Sequence, residues 1–268
     1  MLPGRPLALA ATAAIVALVV IAPLAAVVWA AHGIAPARLA AIVLAPRTLA
    51  AFRLTFGAAG LASLVDAALG LAVAWALTLR FPGRGLLDAV VDLPFALPTA
   101  VTGIALATLY GPHGALGGWL LAHGVRVAYT PLGIGLALAF VGLPFVVRTV
   151  QPVLADLPPE LHEAARGLGA SSLAVALRVT IPLALPALAT GFALAFARTL
   201  GEYGSVVFIA GNFPGRTEIV PLLIVTHLEE YDRDGAAAIA TVMLLAALAL
   251  VLAINALQRR MQVVRAGA

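Results

Sequence analysis

Long apolar stretches separated by short polar segments form the dominant pattern of this 268-residue chain. A helix needs about 20 predominantly apolar residues to cross the hydrocarbon core of a bilayer. Six stretches come close to that length or exceed it, at about residues 7–31, 54–79, 90–110, 132–150, 181–200 and 236–257. The pattern therefore predicts an all-α, polytopic membrane protein with six transmembrane helices. The first stretch is too long for the apolar region of a signal peptide, so we expect it to be a retained helix.

The composition supports this class, because 63% of the residues are hydrophobic, 10% are charged and the mean hydropathy is +1.07. All 16 basic residues are arginine. A P-loop needs a lysine to hold nucleotide phosphates, so any ATP that drives this protein must be hydrolysed by another chain. Cysteine is absent, which excludes disulfides and thiolate metal sites. The segment from His162 to Arg166 begins like a zinc-protease motif but lacks its second histidine, so we predict a chain that is not an enzyme.

Arginine placement predicts the orientation of the helices. With the N-terminus in the cytoplasm, nine arginines flank the inner ends of the spans and six flank the outer ends. Inner loops of membrane proteins carry an excess of arginine, and the pairs Arg80/Arg84 and Arg259/Arg260 are strong inner signals. We therefore expect both termini in the cytoplasm and membrane lipid around the spans. The arginines do not cluster, so we expect no nucleic-acid partner.

The polar loop between the fourth and fifth spans, residues 157–182, has the local chemistry of two short helices. Pro158 and Pro159 suit the first turn of a helix, where no N–H donor is needed, and Gly169 allows a turn at its end. Ser171 or Ser172 can cap a second helix, which we expect to run to residue 178, before the next span begins at residue 182. The orientation places this loop in the cytoplasm, where it is either an ordinary connector or a docking surface.

Within this loop, residues Glu163, Ala164, Ala165 and Gly169 stand at a specific spacing from the hydrophobic residues and proline that end it. The pattern is Glu-Ala-Ala, three residues, Gly, nine residues, Ile/Val, one residue, Leu/Ile and Pro. It resembles the EAA loop of ABC importer permeases of the type I fold. The resemblance implies a coupling helix that sits in a groove of a cytoplasmic ATPase, with these four residues as its docking residues. ATP and magnesium would then be bound by the partner ATPase, and no cofactor by this chain.

Four further segments, residues 80–84, 92–101, 144–154 and 200–212, carry a narrower resemblance. They look like the CysT-type permeases of bacterial sulfate/thiosulfate importers, of which the molybdate permeases (ModB) are close relatives. The resemblance implies a bacterial inner-membrane location, a second permease subunit (CysW-type), two ATPase subunits (CysA-type) and a periplasmic sulfate-binding protein. It also implies an N-terminal helix and periplasmic loop at 1–51, a permease domain at 52–257 and a short cytoplasmic tail at 258–268.

Arg198 and Glu202 are candidates for the translocation path or its gate. They lie four residues apart at the outer end of the fifth span, so they share a face if the helix continues. Ionisable residues within spans usually face the bundle interior or a wet cavity. Either the pair neutralises itself and pins a gate, or Arg198 attracts a passing anion that Glu202 keeps from binding tightly. The glycine-interrupted run 201–211, followed by Asn212, is either a short re-entrant gate loop or a simple outer loop.

Hydroxyl groups near the start of the third span provide further candidates. Pro94 and Pro98 remove backbone hydrogen bonds there, and Thr99 and Thr102 add hydroxyls that suit a transient anion path. Small and hydroxyl-bearing residues also serve ordinary helix packing, and that alternative stays open. Asp66, in the middle of the second span, must face inward, but the sequence identifies neither its partner nor its role.

Together with these features, the two resemblances imply the membrane-spanning permease subunit of an ATP-driven importer that carries an oxyanion, sulfate or thiosulfate, by alternating access. A molybdate or tungstate permease is the alternative within the same resemblance. An ion-coupled secondary transporter is the alternative from another class. Such a carrier works without an ATPase and usually shows an internal repeat, of which the sequence gives no convincing sign.

Overall fold

The computed structural model describes residues 5–266, together with the side chains of residues 8–254 and of Ala256. Every regular element in this part of the chain is helical, which confirms the all-α class. The α-helices are α1 (Arg5–Val16), α2 (Ala22–His32), α3 (Pro36–Val43), α4 (Pro46–Thr78), α5 (Arg84–Ala96), α6 (Thr99–Tyr110), α7 (Ala115–Ala122), α8 (Pro131–Ala155), α9 (Pro159–Gly167), α10 (Ser172–Val175), α11 (Ile181–Leu200), α12 (Gly204–Ala210), α13 (Val220–Glu229) and α14 (Arg233–Ala266). Two π-helical turns, Ala17–Ile21 and Ala176–Thr180, join α1 to α2 and α10 to α11.

Three long helices, α4, α8 and α11, pack against one another at the centre of the bundle. Small residues permit their close approach. A Cβ atom at Gly70 of α4 would lie 2.6 Å from the Val146 side chain of α8, and one at Gly191 of α11 would lie 2.9 Å from the Cα atom of the same valine. Helices in lipid associate largely through such close packing. The centre is therefore a tight three-helix junction.

Five helical segments are long and apolar enough to cross a membrane: Ala8–His32, Pro46–Thr78, Pro131–Ala155, Ser172–Leu200 and Arg233–Ile254. A sixth crossing requires α5 and α6 together, which meet at an angle of 113°. The expectation of one continuous third span over 90–110 is therefore wrong. Leu97 is extended, with φ −84° and ψ 137°, because the residue before a proline is driven out of the helical region. The predicted number of six spans holds when this bent pair is counted as one.

The loop between α8 and α11 has the predicted helix–turn–helix form, with α9 and α10 on either side of Gly169. The expected break before residue 182 is absent, because α10 continues through a π-helical turn into α11 and forms one run of 29 residues, Ser172–Leu200. A π-helical turn shifts the hydrogen-bond register. The missing N–H of Pro182 therefore does not interrupt the helix.

The segment between α11 and α14 folds back into the bundle instead of forming a simple outer loop. Helix α12 packs against α6 and α8, and Val206 and Ile209 are fully buried there. Gly211 ends α12 in the left-handed conformation, with φ +73°. Residues 201–215 therefore contain a short re-entrant helix rather than a simple outer loop. Helix α13, which the hydropathy pattern did not predict, packs against α14 and α4.

The expected division at residue 51 falls inside α4, and residues 258–266 continue α14. Neither expected boundary therefore coincides with a break in the backbone. The side chains of Arg5, Arg259, Arg260 and Arg265, which contributed to the predicted orientation, lie outside the described part of the chain, as do residues 267 and 268.

Candidate functional site

Both ends of helix α9 in the polar loop are stabilised by residues of the local sequence. Glu160 lies in its first turn and Arg166 in its last, where each charge complements the helix dipole. At the C-terminus the N–H of Ala170 donates to the carbonyl of Ala165 at 3.0 Å, and the N–H of Gly169 donates to the carbonyl of Arg166 at 2.9 Å. These bonds form a Schellman motif, which places Gly169 at φ +84°, a conformation that favours glycine.

Side-chain contacts connect this loop to the membrane bundle. The hydroxyl of Ser171 accepts a hydrogen bond from the N–H of Ala174 at 3.2 Å and so caps α10. His162 Nε2 lies 3.0 Å from the Thr180 hydroxyl, and Thr180 is buried at the base of α11. This contact joins α9 to the start of the fifth span.

Three of the predicted docking residues, Glu163, Ala164 and Gly169, are exposed, whereas Ala165 is half-buried. The loop also exposes four leucines, Leu161 (41%), Leu168 (91%), Leu173 (69%) and Leu177 (56%). Exposed apolar residues rimmed by polar ones mark an interaction surface. Sequence reasoning missed these leucines because no single leucine stands out in so apolar a chain.

Arg198 and Glu202 form an ion pair, with 2.7 Å between Arg198 Nη1 and Glu202 Oε2. They do not share a continuous helix as expected, because α11 ends at Leu200 and the chain turns there. The Glu202 side chain is only 2% exposed, against 38% for Arg198. Its other oxygen accepts hydrogen bonds from the N–H and the hydroxyl of Ser205, both at 3.0 Å. This buried carboxylate therefore joins the end of α11 to the first turn of α12.

Helix α6 lies directly against this turn. A Cβ atom at Gly103 would lie 2.5 Å from the Ser205 carbonyl oxygen, and a Cβ atom at Gly204 would collide with the Thr99 hydroxyl. Thr102 is buried on the same helix. The structure thus brings the helix that carries Thr99 and Thr102 together with the Arg198–Glu202 pair.

Asn212 does not join this group, because it follows α12 at the opposite end of that helix. Its backbone has φ +49°, and its Nδ2 donates to the Thr226 hydroxyl of α13 at 3.3 Å. This placement connects Asn212 to the α12–α13 turn.

A second charged cluster joins α5 to α8. Arg148 makes a bidentate contact with Asp92, with Nε–Oδ1 and Nη2–Oδ2 distances of 2.7 Å. Its Nη1 also donates to Asp88 at 2.7 Å and to Gln151 at 2.8 Å. The planar guanidinium suits such a fork. Sequence reasoning assigned these residues no contact, although the spacing of Asp88 and Asp92 places both on one face of a helix.

A third ion pair joins the start of α4 to the segment before α13. Arg47 donates from Nε and Nη2 to the two oxygens of Glu218 at 2.8 and 2.7 Å, and the Glu218 side chain is 1% exposed. The N–H of Val220 donates to the Thr55 hydroxyl of α4 at 2.8 Å. These contacts anchor the return segment to the central helices.

Asp232 organises the turn between α13 and α14. The pKa of its carboxyl lies below the usual value, first because the N–H of Gly235 donates to it at 3.0 Å and then because His227 lies 2.9 Å away. Arg38 adds a weaker contact, with 3.8 Å between its Nη2 and Asp232 Oδ1. The ionised carboxylate therefore stabilises this turn.

The architecture defines a membrane permease, and residues 66–263 match the family described as the binding-protein-dependent transport system inner membrane component. The chain belongs to this family of ABC importer permeases. It is 47% identical over 260 residues to the sulfate transport system permease protein CysT of Escherichia coli (strain K12), a match that covers 97% of this chain and 94% of that protein. This similarity confirms the narrower resemblance that the sequence motifs indicated.

Two further comparisons agree with this membership. A probable sulfate transport system permease protein of Nephroselmis olivacea is 52% identical over 218 residues, which cover 81% of this chain and 77% of that one. A chain of a bacterial alginate ABC transporter, solved in complex with an alginate pentasaccharide-bound periplasmic protein, superposes with a TM-score of 0.78 at 18% identity, over 96% of this chain and 94% of its own. The last similarity shows the shared permease fold.

Proposed function

We propose that this chain is the permease subunit of an ATP-driven importer that moves sulfate or thiosulfate across the bacterial inner membrane, with both termini in the cytoplasm. The observation that carries the proposal is the 47% identity to a sulfate permease over 97% of the chain. The relatives favour sulfate over molybdate, because the compared proteins are sulfate permeases.

The loop 157–182 is the proposed docking surface for a cytoplasmic ATPase, which binds ATP and magnesium and performs the hydrolysis. Its exposed residues Glu163, Ala164 and Gly169 are small or acidic, and Leu168 between them is almost fully exposed. A partner groove that covers Leu168 would remove its apolar surface from water. Two ATPase copies, one for this chain and one for a second permease subunit, complete the proposed complex.

The continuous run Ser172–Leu200 provides the connection between docking and gating. Its 29 residues span about 44 Å at 1.5 Å per residue, from the polar loop to the Arg198–Glu202 pair. His162 and Thr180 join the loop to the lower end of this run, while Glu202 joins the upper end to α12. ATPase closure that moves α9 would therefore move α12 and the adjoining α6, which is the rocking motion that alternating access requires.

Within this mechanism Arg198 and Glu202 act mainly as a structural pair that holds the gate segment. Three hydrogen-bonding contacts already satisfy Glu202, which supports this interpretation over direct anion binding. Thr99 and Thr102 lie on the helix that α12 covers and remain the candidates for transient contact with the anion. Asn212 then sets the turn that follows the gate.

The anion would be delivered by a periplasmic sulfate-binding protein to the outer side of the permease. The structurally similar alginate transporter was solved with its periplasmic protein bound, which supports this arrangement for the proposed complex.

The absence of cysteine from the chain allows a direct test of docking and orientation. A single Leu168→Cys variant, labelled with a photoreactive maleimide in the assembled transporter, should crosslink to the ATPase on illumination. Tyr231→Cys is the matched control, because Tyr231 is 90% exposed on the turn that we place outside. It should react with a membrane-impermeant maleimide added to spheroplasts and should form no ATPase crosslink. Crosslinking from position 231, or none from position 168, would contradict the proposed docking surface.

A further inference from the structure

Asp66 is a deeply buried carboxylate whose two oxygens lack hydrogen-bond partners among the described residues. Asp66 as a whole residue is only 1% exposed. The hydroxyl of Ser63, one turn earlier on α4, is also buried and has no partner in the described part of the chain. Most buried polar groups in proteins are hydrogen-bonded. This polar spot therefore needs an explanation that packing alone does not supply.

The carboxylate occupies the space that Gly142 leaves on α8. A Cβ atom at Gly142 would collide with Asp66 Oδ2 and would lie 3.4 Å from the Ala195 Cβ of α11. Helices α4, α8 and α11 thus enclose Asp66 at the junction where the three long helices meet. Any relative movement of these helices changes the space around the carboxylate.

The other ionisable residues of the three helices are four arginines. Arg47, Arg148 and Arg198 form ion pairs with other carboxylates. Arg53 lies 13 residues before Asp66 on α4, about 20 Å along the helix axis. An ionised carboxylate that is removed from water without a cation carries a large desolvation penalty, and a bound proton removes that charge.

We propose that Asp66 is a proton-binding site that the transport cycle covers and uncovers. In the packed junction the carboxylate holds a proton taken from water, so that one carboxylate and one hydronium ion give one carboxylic acid and one water molecule. When alternating access separates α4 from α8 and α11, water reaches the carboxylic acid. The proton then passes from Asp66 back to the water. The inference rests on the proposed alternating access, but not on the identity of the anion.

The test compares the pH dependence of uptake in proteoliposomes that contain the complete transporter. Wild-type uptake should have an alkaline limb that falls about tenfold per pH unit, the slope expected for loss of one essential proton. Asp66→Asn, which stays neutral at every pH, should lack this limb. Ser63→Ala should retain it, because the titrating group is still present. All three share one ATPase, so the ratio of uptake rates at each pH removes the pH dependence of that partner.

Parallel profiles for the wild type and Asp66→Asn would overturn the proposal. If Asp66→Asn does not assemble, infrared difference spectra of the wild-type complex between its nucleotide-free and vanadate-trapped states decide the question. The carbonyl band of a protonated carboxyl should change between the two states, and Asp66→Glu should shift that band. A difference spectrum without such a band would also overturn the proposal. If the wild type and all variants fail to take up sulfate while the band change is retained, the result would instead contradict the anion assignment alone.

Discussion

Removal of the Arg198 guanidinium should destabilise the proposed gate segment, and the structure allows the size of the effect to be estimated. Loss of one partner of a buried ion pair costs about 3–5 kcal/mol when the remaining charge is fully enclosed. Here Arg198 is 38% exposed, and Ser205 still donates two hydrogen bonds to Glu202. Both features reduce the cost, so we expect Arg198→Gln to lower the free energy of unfolding by about 2 kcal/mol.

The double variant Arg198→Gln/Glu202→Gln should recover most of this loss. A glutamine at position 202 carries no charge, yet it retains an acceptor for the N–H of Ser205. The expected coupling free energy between the two sites is therefore about 1–2 kcal/mol. At about 2–4 °C per kcal/mol for a chain of this size, the single Arg198→Gln variant should unfold about 4–8 °C below the wild type.

Thermal unfolding of the detergent-solubilised complex and sulfate uptake in proteoliposomes are the two assays. A structural pair predicts that Arg198→Gln assembles but transports poorly, and that the double variant regains both stability and uptake. A double variant that regains stability without uptake would show that Arg198 acts on the anion. A double variant as unstable as the single one would refute the ion-pair reasoning itself.

Three further perturbations test other contacts. Gly103→Ala should separate α6 from α12 and reduce uptake, because the added Cβ would lie 2.5 Å from the Ser205 carbonyl oxygen. The control Gly57→Ala should leave uptake unchanged in the same assay, because its added Cβ would have no neighbouring atom within 4 Å. Arg148→Lys should lower stability by about 1 kcal/mol, measured by thermal unfolding, because lysine cannot make the bidentate contact in this partly exposed cluster. Asp232 has a lowered pKa in the folded protein, so its stabilisation is present above its unfolded pKa of about 3.9 and is lost as the pH falls through the folded value. Asp232→Asn should therefore reduce the loss of melting temperature between about pH 6 and pH 3; an unchanged acid dependence would contradict this assignment.

Local features of the sequence were sufficient to predict the helical class, most of the spans and the helix–turn–helix form of the loop 157–182. The length of an apolar stretch defines a span, and prolines, serines and Gly169 mark the ends of helices to within a few residues. The sequence marks Pro98 as a residue that disturbs a helix, but a proline does not specify a bend of 113°. In the fold, this bend is accompanied by the packing of α6 against α12, which is distant in sequence. The hydropathy pattern missed α13 because ten residues are too few to register as a span.

Contacts distant in sequence could not be predicted in this way. Arg148 lies 56 residues from Asp92, and Arg47 lies 171 residues from Glu218, so only the tertiary fold brings these partners together. The Arg198–Glu202 pair could be predicted from the sequence because its partners are four residues apart. The helix on which that prediction rested nevertheless ends between them. Asp66 was recognised as a costly buried charge, but only the arrangement of Gly142 and Ala195 shows how three helices enclose it.

The most direct test of ATP-coupled sulfate import is the number of sulfate ions imported per ATP hydrolysed by the reconstituted transporter. The wild type should take up sulfate only with ATP on the ATPase side, and thiosulfate should compete more strongly than molybdate. Gly169→Leu should keep ATP hydrolysis but lose uptake, because a non-glycine residue in the left-handed conformation costs about 1–2 kcal/mol and deforms the Schellman turn. The control variant Gly167→Ala should retain the wild-type ratio of sulfate imported to ATP hydrolysed. Uptake that proceeds without ATP, or an unchanged ratio in Gly169→Leu, would contradict the proposed coupling.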